Sequence, residues 1–178
     1  MREEIIKEYL EKAKKKDKKA LAKLAKEIYP SVFRFFYYRT STREDAEDLT
    51  SEVFVRIVRS LYGQKGNFLS WLFTIARNIL VDYYRKKGRL KEISLEKVEP
   101  FIPDTWERRP TGLSPEDIKE MTAILTEEQK TVVLLKFVEG LSNDDISQIM
   151  HKSVEAVKGL QFRALTTLRK FYKKRLGP

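Results

Sequence analysis

The chain of 178 residues lacks cysteine altogether and contains a single histidine, His151. Without cysteine, disulfide bonds, thiolate catalysis and cysteine-based zinc sites are excluded. The acidic residues cluster mainly within residues 44–52, and no second cluster is evident that would complete a catalytic metal site. We therefore expect a protein that is not an enzyme and that carries no metal or other cofactor.

Long apolar runs are also missing. No stretch of about 18 apolar residues could span a membrane, and the charged N-terminus lacks the apolar core of a signal peptide. These two absences predict a cytoplasmic protein with no membrane insertion.

What the chain has in excess is positive charge, with 36 Lys and Arg against 26 Asp and Glu. A net charge of +10 favours a polyanionic partner such as nucleic acid. The plainer interpretation is a soluble protein with solvated lysine-rich helices. The charge is unevenly spread, with +8 over residues 1–88, −2 over 89–120 and +4 over 121–178.

The acidic middle also holds four of the six prolines, Pro100, Pro103, Pro110 and Pro115. Proline interrupts helices because its ring removes a backbone donor and restricts the preceding residue. We predict an all-α protein with two small helical domains, residues 1–88 and 114–178, joined by an extended linker at 89–113. An ordered loop packed on one domain is the alternative for the linker.

Helix signals are clear on both sides of this linker. In the first half we expect a helix that ends before Pro30, a helix capped by Ser41 with Glu44 at its third position, and a long helix over residues 68–87. In the second half, Ser114 and Thr126 have the pattern of N-caps, Gly140 suits a left-handed turn, and Ser153 caps the last helix. Val132, Val133, Leu135 and Phe137 are expected to face inward.

Two helices of the first half have polar faces that the core does not explain. Asp48 and Glu52 lie largely off the stripe formed by Ala46, Leu49, Val53 and Ile57. On the long helix, Trp71 falls beside Asn78, and an aromatic ring beside polar groups can stack on a base that has left the duplex. The alternatives are a solvated acidic face and a tryptophan that packs its edge into the core.

Residues 140–170 have the layout of a helix-turn-helix. On the second helix, Val157, Leu160, Ala164, Leu168 and Phe171 share one side, whereas Lys158, Phe162, Thr166, Arg169 and Lys170 share the other. An exposed phenylalanine among cations suits DNA, which offers both thymine methyl groups and phosphates. An ordinary helical hairpin is the competing interpretation.

Three blocks together carry a more specific signal: DAEDLTSEVFVRIVRSL, GNFLSWLFTIARNILVDYYRKK and LTEEQKTVVLLKFVEGLSNDDISQIMHKSVEAVKGLQFRALTTLRK. Their order and spacing strongly resemble the extracytoplasmic-function (ECF) class of bacterial sigma factors. The first two blocks are similar to sigma region 2 and the third to sigma region 4. The resemblance extends over about residues 18–175.

The resemblance implies partners and site residues. The partners are the β and β′ subunits of the RNA polymerase core, double- and single-stranded promoter DNA, and an anti-sigma factor. The surface that binds core would comprise Asp48, Ser51, Glu52, Val55 and Arg56. The surface that melts and recognises the −10 element would comprise Gln64, Lys65, Asn67, Trp71, Arg77, Asn78 and Arg85. The −35 element would be recognised by Ser153, Val154, Glu155, Lys158, Gly159, Phe162 and Arg163.

The chain departs from the usual family pattern in three places. Ser51 stands where glutamine is usual, His151-Lys152 replace Gly-Ile in the turn, and Gly159-Leu160-Gln161 replace a more frequent Ser-Arg-Leu. The last difference alters the base-reading surface. Histidine adopts the left-handed conformation more readily than most residues, so His151 is expected to be a turn residue.

Three functions compete at this point. The first is a sigma factor that binds core polymerase and directs promoter-specific initiation. The second is a stand-alone helix-turn-helix transcriptional regulator, although such proteins usually bind palindromes as dimers and this chain has no heptad seam. The third is a nucleic-acid-processing enzyme, which the lack of a convergent metal or histidine site disfavours.

Overall fold

The computed structural model describes residues 3–87 and 114–176, with side chains for 4–87 and 114–173. The described residues are all-α and the chain divides into two compact units, residues 1–98 and 99–178. The predicted linker 89–113 lies outside the described residues, so the domain boundaries 1–88 and 114–178 remain a prediction.

The first unit is a four-helix bundle. Its helices are α1 (Glu3–Lys14), α2 (Lys18–Tyr37), α3 (Arg43–Ser60) and α4 (Phe68–Lys86), and a 3₁₀ turn at Leu61–Gly63 follows α3. Aromatic residues of α2 fill the centre, where Phe35 packs against Phe73 of α4 with ring centroids 5.5 Å apart. Both rings are buried, so α2 is the central helix on which the others pack.

Helix α2 continues through Pro30, so the predicted break before this proline was wrong. Proline costs a backbone hydrogen bond inside a helix. Here Ile28, Val32 and Phe36 bracket the proline and are completely buried. Burial of each such side chain stabilises the fold by about 1.5–3 kcal/mol. The three together outweigh the penalty of about 3 kcal/mol for a proline inside a helix.

The start of α3 is also one residue later than predicted. Thr42, rather than Ser41, is the N-cap, and its Oγ1 accepts a hydrogen bond of 3.1 Å from the Asp45 amide. The sequence offers two overlapping capping patterns here. The second one prevails in the fold because Asp45 then also reaches Tyr83 and Lys87 of α4.

The second unit contains α5 (Pro115–Ala123), α6 (Glu127–Val133), α7 (Asn143–Met150) and α8 (Val154–Leu176). The predicted caps Ser114, Thr126 and Ser153 are confirmed by their hydrogen bonds to the helix amides. Ser142 caps α7 in the same way. The core is formed by buried residues of all four helices, among them Ile118, Val132, Ile146, Val157 and Ala164.

Helix α6 passes into a π-helical turn at Leu134–Val138. The wider turn buries Leu134, Leu135 and Val138, whereas Phe137 is left exposed. The expectation that Phe137 faces inward was therefore wrong, because a 3.6-residue period does not hold through this segment.

Candidate polymerase and DNA interfaces

The outer face of α3 combines acidic and apolar groups. Asp48, Ser51 and Val55 are exposed, and Val58, one turn after Val55, is half exposed as well. Glu52 is half-buried and forms an ion pair with Arg56, one turn away, at 2.5 Å. The Ser51 hydroxyl donates to the carbonyl of Glu47, so it is turned back onto the helix. This face therefore places two exposed valines beside carboxylates.

A groove of about 310 Å³ separates this face of α3 from α4. Leu49 and Ile79 contribute apolar lining, and the charged lining consists of Asp45, Asp48, Glu52, Asp82, Lys86 and Lys87, together with Tyr83. Asp45 accepts hydrogen bonds of 2.8 Å from both the Tyr83 hydroxyl and the Lys87 ammonium. These bonds hold α3 and α4 together across 38 and 42 residues of sequence.

The same contacts change the ionisation of the groups involved. Partial burial raises the pKa of Asp45, but hydrogen bonds from Lys87, Tyr83 and Thr42 outweigh it and leave the pKa below its usual range. The hydrogen bond to Asp45 is the main cause that raises the pKa of Lys87. The sequence gives no indication that Tyr83 and Lys87 would bind Asp45, because these residues are far from it along the chain.

The loop between α3 and α4 places its predicted residues in different environments. Lys65 and Asn67 are exposed, but Gln64 is only 5% exposed. The Gln64 amide nitrogen donates to the backbone carbonyls of Lys65 and Gly66, each at 3.0 Å. Its Oε1 is buried and accepts no hydrogen bond from the residues that the structure describes. Gln64 therefore shapes the loop from inside.

The loop ends at Asn67, whose side chain caps α4 by accepting a hydrogen bond of 3.0 Å from the Ser70 amide. Just before it, Gly66 has a φ of +74°, a conformation that other residues adopt only with strain. The loop is thus fixed by the fold at the end where α4 begins.

On α4, Trp71, Asn78 and Arg85 follow one another at seven-residue intervals and share one face. Trp71 is half-buried and packs against Phe68 with ring centroids 5.8 Å apart, so it is partly core and partly accessible. Asn78 and Arg85 are exposed. Arg77 is half-buried and points about a third of a turn away from this face.

The helix-turn-helix of the second unit is held by contacts that the sequence did not reveal. His151 ends α7 in the left-handed conformation, with a φ of 53°. Lys152 forms an ion pair of 2.9 Å with Glu128 of α6. The Gln161 amide on α8 donates to Asn143 Oδ1 at the start of α7, at 2.7 Å. These contacts fix α8 relative to the two helices that support it.

Helix α8 displays its predicted residues on a face that the described residues leave open. Val157, Leu160, Ala164 and Leu168 are buried, as the pattern predicted. Phe162 is 73% exposed and makes the largest apolar protrusion on this face. Glu155, Lys158 and Arg163 are exposed, Val154 and Gly159 are half-buried, and Ser153 caps the helix through the Ala156 amide.

Arg163 lies against the backbone of its own helix. A Cβ atom added to Gly159 would lie 3.4 Å from the nearer guanidinium nitrogen of Arg163. The backbone of Gly159 is helical, so its conformation does not require glycine. An alanine at this position would touch the guanidinium group at an ordinary contact distance and would not displace it.

Among the described residues, no group of three or more His, Asp or Glu side chains is placed to hold a metal ion. None of the helices in the described ranges is long and apolar enough to cross a membrane.

Comparison with known proteins identifies the family. The model for sigma-70 region 2 matches residues 24–90, and the model for sigma-70 region 4 matches residues 116–168. The chain is 33% identical over 169 residues to the ECF RNA polymerase sigma factor BldN of Streptomyces coelicolor, which covers 90% of this chain and 63% of BldN. SigX of Bacillus subtilis is 29% identical over 80% of this chain and 78% of its own.

Solved structures agree with this fold. CnrH, solved with the cytosolic domain of CnrY, has a TM-score of 0.72 at 18% identity, covering 96% of this chain and 98% of CnrH. The sigma factor RpoE of Bartonella quintana, solved with the anti-sigma factor NepR, has a TM-score of 0.68 at 24% identity, covering 82% of this chain and 92% of RpoE. At these identities the two structures establish the fold alone.

The chain belongs to the ECF sigma factors of the sigma-70 family. Members of this family are transcription initiation factors that act with RNA polymerase. The stand-alone regulator considered from the sequence is therefore set aside.

Proposed function

We propose that the chain binds bacterial RNA polymerase core in the cytoplasm, directs it to promoters with a −10 and a −35 element, and opens the DNA without catalysing a reaction. One observation carries this proposal. Sigma regions 2 and 4 fall in two separate compact units.

The core would bind to the outer face of α3, through Asp48, Ser51, Glu52, Val55 and Arg56. Asp48 supplies an exposed charge, and Val55, which is 48% exposed, supplies apolar area beside it. A partner with basic and apolar groups would cover both, and the complementary charge would also speed association. The ion pair between Glu52 and Arg56 pre-orders the middle of this face.

The −10 element would be bound by the loop and the adjacent face of α4. Lys65 and Asn67 present polar groups at the loop surface, and Gln64 keeps the backbone of the loop in place from inside. Trp71 offers a partly accessible ring for an extruded base, and Asn78 and Arg85 continue the same face, with Arg77 at its side. Extruding a base costs a few kcal/mol, which stacking and hydrogen bonds at this surface would offset.

The −35 element would be read as duplex by α8. In this arrangement the N-terminal part of the helix, Ser153–Glu155, enters the major groove first, and Lys158, Gly159, Phe162 and Arg163 follow. Arginine binds guanine edges through two parallel hydrogen bonds, and a phenylalanine ring can cover a thymine methyl group. Gly159 would allow the DNA to approach the helix backbone.

An anti-sigma factor is a further proposed partner, because RpoE of Bartonella quintana was solved with one.

The experiment is to mix the purified chain with bacterial core polymerase, follow complex formation by gel filtration, and transcribe random genomic fragments. Co-elution with new start sites that share two sequence elements would support the proposal. Failure to associate with core, together with tight binding to duplex DNA alone, would restore the stand-alone regulator.

A further inference from the structure

The turn between α1 and α2 carries the densest charge in the chain. Residues 12–26 contain eight lysines and one aspartate, a net charge of +7 within a chain of +10. Most of this segment precedes residue 24, where the match to sigma region 2 begins. It is also separate from the −10 and −35 surfaces described above.

Folding of the unit does not explain these lysines. Lys18 and Lys19 are the first residues of α2, whose first turn contains no acidic residue. Cations at this end are disfavoured by the positive pole of the helix dipole. Lys16 has a φ of +67°, where glycine or asparagine would be less strained. Features that cost stability in this way are often found at functional sites.

The charges at the turn are left uncompensated. The carboxylate of Asp17 caps α2 and accepts hydrogen bonds from the amides of Lys19 and Ala20. Lys12 and Lys14 form ion pairs with Glu8 and Glu11 on α1. In the part of the chain that the structure describes, the exposed side chains of Lys15, Lys16, Lys18 and Lys19 form no ion pair.

The helix directions place this turn at the same end of the unit as the −10 loop. Helices α2 and α4 run parallel, because Phe35 contacts Phe73 and the carbonyl of Arg39 accepts from the Tyr84 hydroxyl. Lys18 lies about 25 Å along α2 from Phe35, whereas α4 begins about 8 Å before Phe73, at a rise of about 1.5 Å per residue. Measured along the parallel helices, the turn therefore lies roughly 17 Å past the first residue of α4, on the side away from Phe73.

We propose that Lys15, Lys16, Lys18 and Lys19 bind the phosphates of promoter DNA that flanks the −10 element. A distance of about 17 Å corresponds to roughly five nucleotides at about 3.4 Å each. Flexible lysines act as point charges and suit a phosphate backbone without selecting a base sequence. The proposal rests on the proposed function, and it extends the −10 surface along the DNA from the loop end of the unit.

The test uses the full chain assembled with saturating core polymerase on a promoter fragment selected by the wild-type complex. Replacing all four lysines by glutamine should weaken binding at least about 10-fold at low salt. The dependence of log K on log salt concentration should become shallower by about 2–4, since each lost phosphate contact removes about 0.7–0.9 from the slope.

Two further variants separate charge at this place from charge in general and from folding. Lys18→Gln with Lys19→Gln should lower the slope more than Lys7→Gln with Lys26→Gln, which remove two exposed charges from the bodies of the same helices. Lys16→Gly removes a charge together with backbone strain. It should raise the thermal midpoint of the free protein and still weaken promoter binding. If Lys16 had a purely structural role, the thermal midpoint and the promoter affinity would change in the same direction.

The position of the contact can be tested from the DNA side. Methylphosphonate linkages that neutralise single phosphates within roughly five nucleotides of the −10 element should weaken binding by the wild-type complex. The same linkages should have little effect on the complex with the four-glutamine variant.

Several outcomes would overturn the proposal. Unchanged affinity and salt slope in the four-glutamine variant would leave the lysines as solvated charge. A weaker association with core, with normal promoter binding once core is saturated, would assign the turn to an acidic protein surface. If the wild-type chain itself neither binds core nor initiates, the proposed function fails and this proposal fails with it.

Discussion

The two proposed DNA surfaces are built in opposite ways. In the second unit, Phe162, Lys158 and Arg163 extend from a helix face that the other described residues do not cover. In the first unit, Gln64 is buried inside its loop, Asn67 caps a helix, and Trp71 is half-buried. The first surface protrudes from a helix, and the second is formed by side chains that also take part in the fold.

The difference corresponds to the two states of the DNA. An intact duplex presents base edges in a groove that a preformed helix can enter. An extruded base needs a cavity and a stacking surface, which only side chains that also take part in the fold can provide. Truncation of the side chains that protrude from α8 should therefore alter binding alone, whereas truncation of Trp71 in the first unit should alter binding and stability together.

The largest expected effect is the loss of core binding, without which neither proposed DNA surface can act in initiation. Asp48→Arg reverses the charge at the proposed core face, and it should abolish association with core because the basic partner is then repelled. The fold should be unchanged, since Asp48 is exposed. Gel filtration with core measures the first effect and thermal unfolding the second.

Glu4→Arg is the matched control, because it makes the same charge change at an exposed position on α1. Normal association of Asp48→Arg with core would show that the partner face has been placed wrongly.

Arg163→Ala tests the protruding surface. We expect a loss of about 1–3 kcal/mol in binding to the −35 element if the guanidinium reads a base, with no change in thermal midpoint. Footprinting or competition with base-substituted −35 duplexes measures the loss. Arg169→Ala, also exposed on α8, should have a smaller and sequence-independent effect. Equal effects of the two variants on every duplex would reduce Arg163 to a phosphate contact.

Trp71→Ala tests the proposed −10 surface of the first unit. Because Trp71 packs on Phe68 and is only half accessible, we expect a loss of about 1–3 kcal/mol of unfolding free energy together with impaired promoter opening. Permanganate reactivity of unpaired thymines measures opening, and filter binding measures the closed complex, which should form normally. Opening at the wild-type rate by the folded variant would place the ring in the core alone.

Gly159→Ala should separate stability from function within the second unit. Alanine is favoured over glycine in a helix by about 1 kcal/mol, and the added Cβ would lie at an ordinary contact distance from Arg163. The unfolding free energy should rise by up to that amount, while −35 binding falls because the DNA can no longer approach the backbone at this position. A variant that gains stability and keeps its −35 affinity would contradict the role given to Gly159.

The smallest expected effect concerns the contact of Asp45 on α3 with Tyr83 and Lys87. The pKa of Asp45 is lower in the fold than in the unfolded chain, so its stabilising contribution is present above the unfolded pKa of about 3.9 and is lost as pH falls through the folded pKa. The difference in unfolding free energy between wild type and Asp45→Asn should therefore shrink as pH is lowered from about 6 to about 3.

Urea unfolding across this range measures the change. In a Lys87→Met background, where one hydrogen-bond partner of Asp45 is missing, the pH dependence should be weaker. An equal dependence in both backgrounds would mean that Lys87 does not set the ionisation of Asp45.

Much of the second unit was predictable because its signals are local. The capping pairs at Ser114, Thr126 and Ser142 each involve residues three positions apart, and the buried stripe of α8 follows a helical period. His151 was expected to be a turn residue, and it is left-handed in the structure. Family resemblance then supplied roles for the exposed residues, and those roles remain predictions.

The errors arose where distant residues compete with local preference. Pro30 lies inside a helix because buried neighbours on α2 outweigh a missing hydrogen bond. Thr42 replaced Ser41 as the cap of α3 because Asp45 is held by two side chains of α4.

By itself, the sequence determined the all-α class, the two-unit division, the family and the open face of α8, because charge, caps and helical period are properties of neighbouring residues. Only the tertiary structure decided that Gln64 is buried, that Trp71 is shared between core and surface, and that a basic turn lies at the loop end of the first unit. These depend on which helices pack together and in which direction, and such contacts join residues that are far apart in the chain.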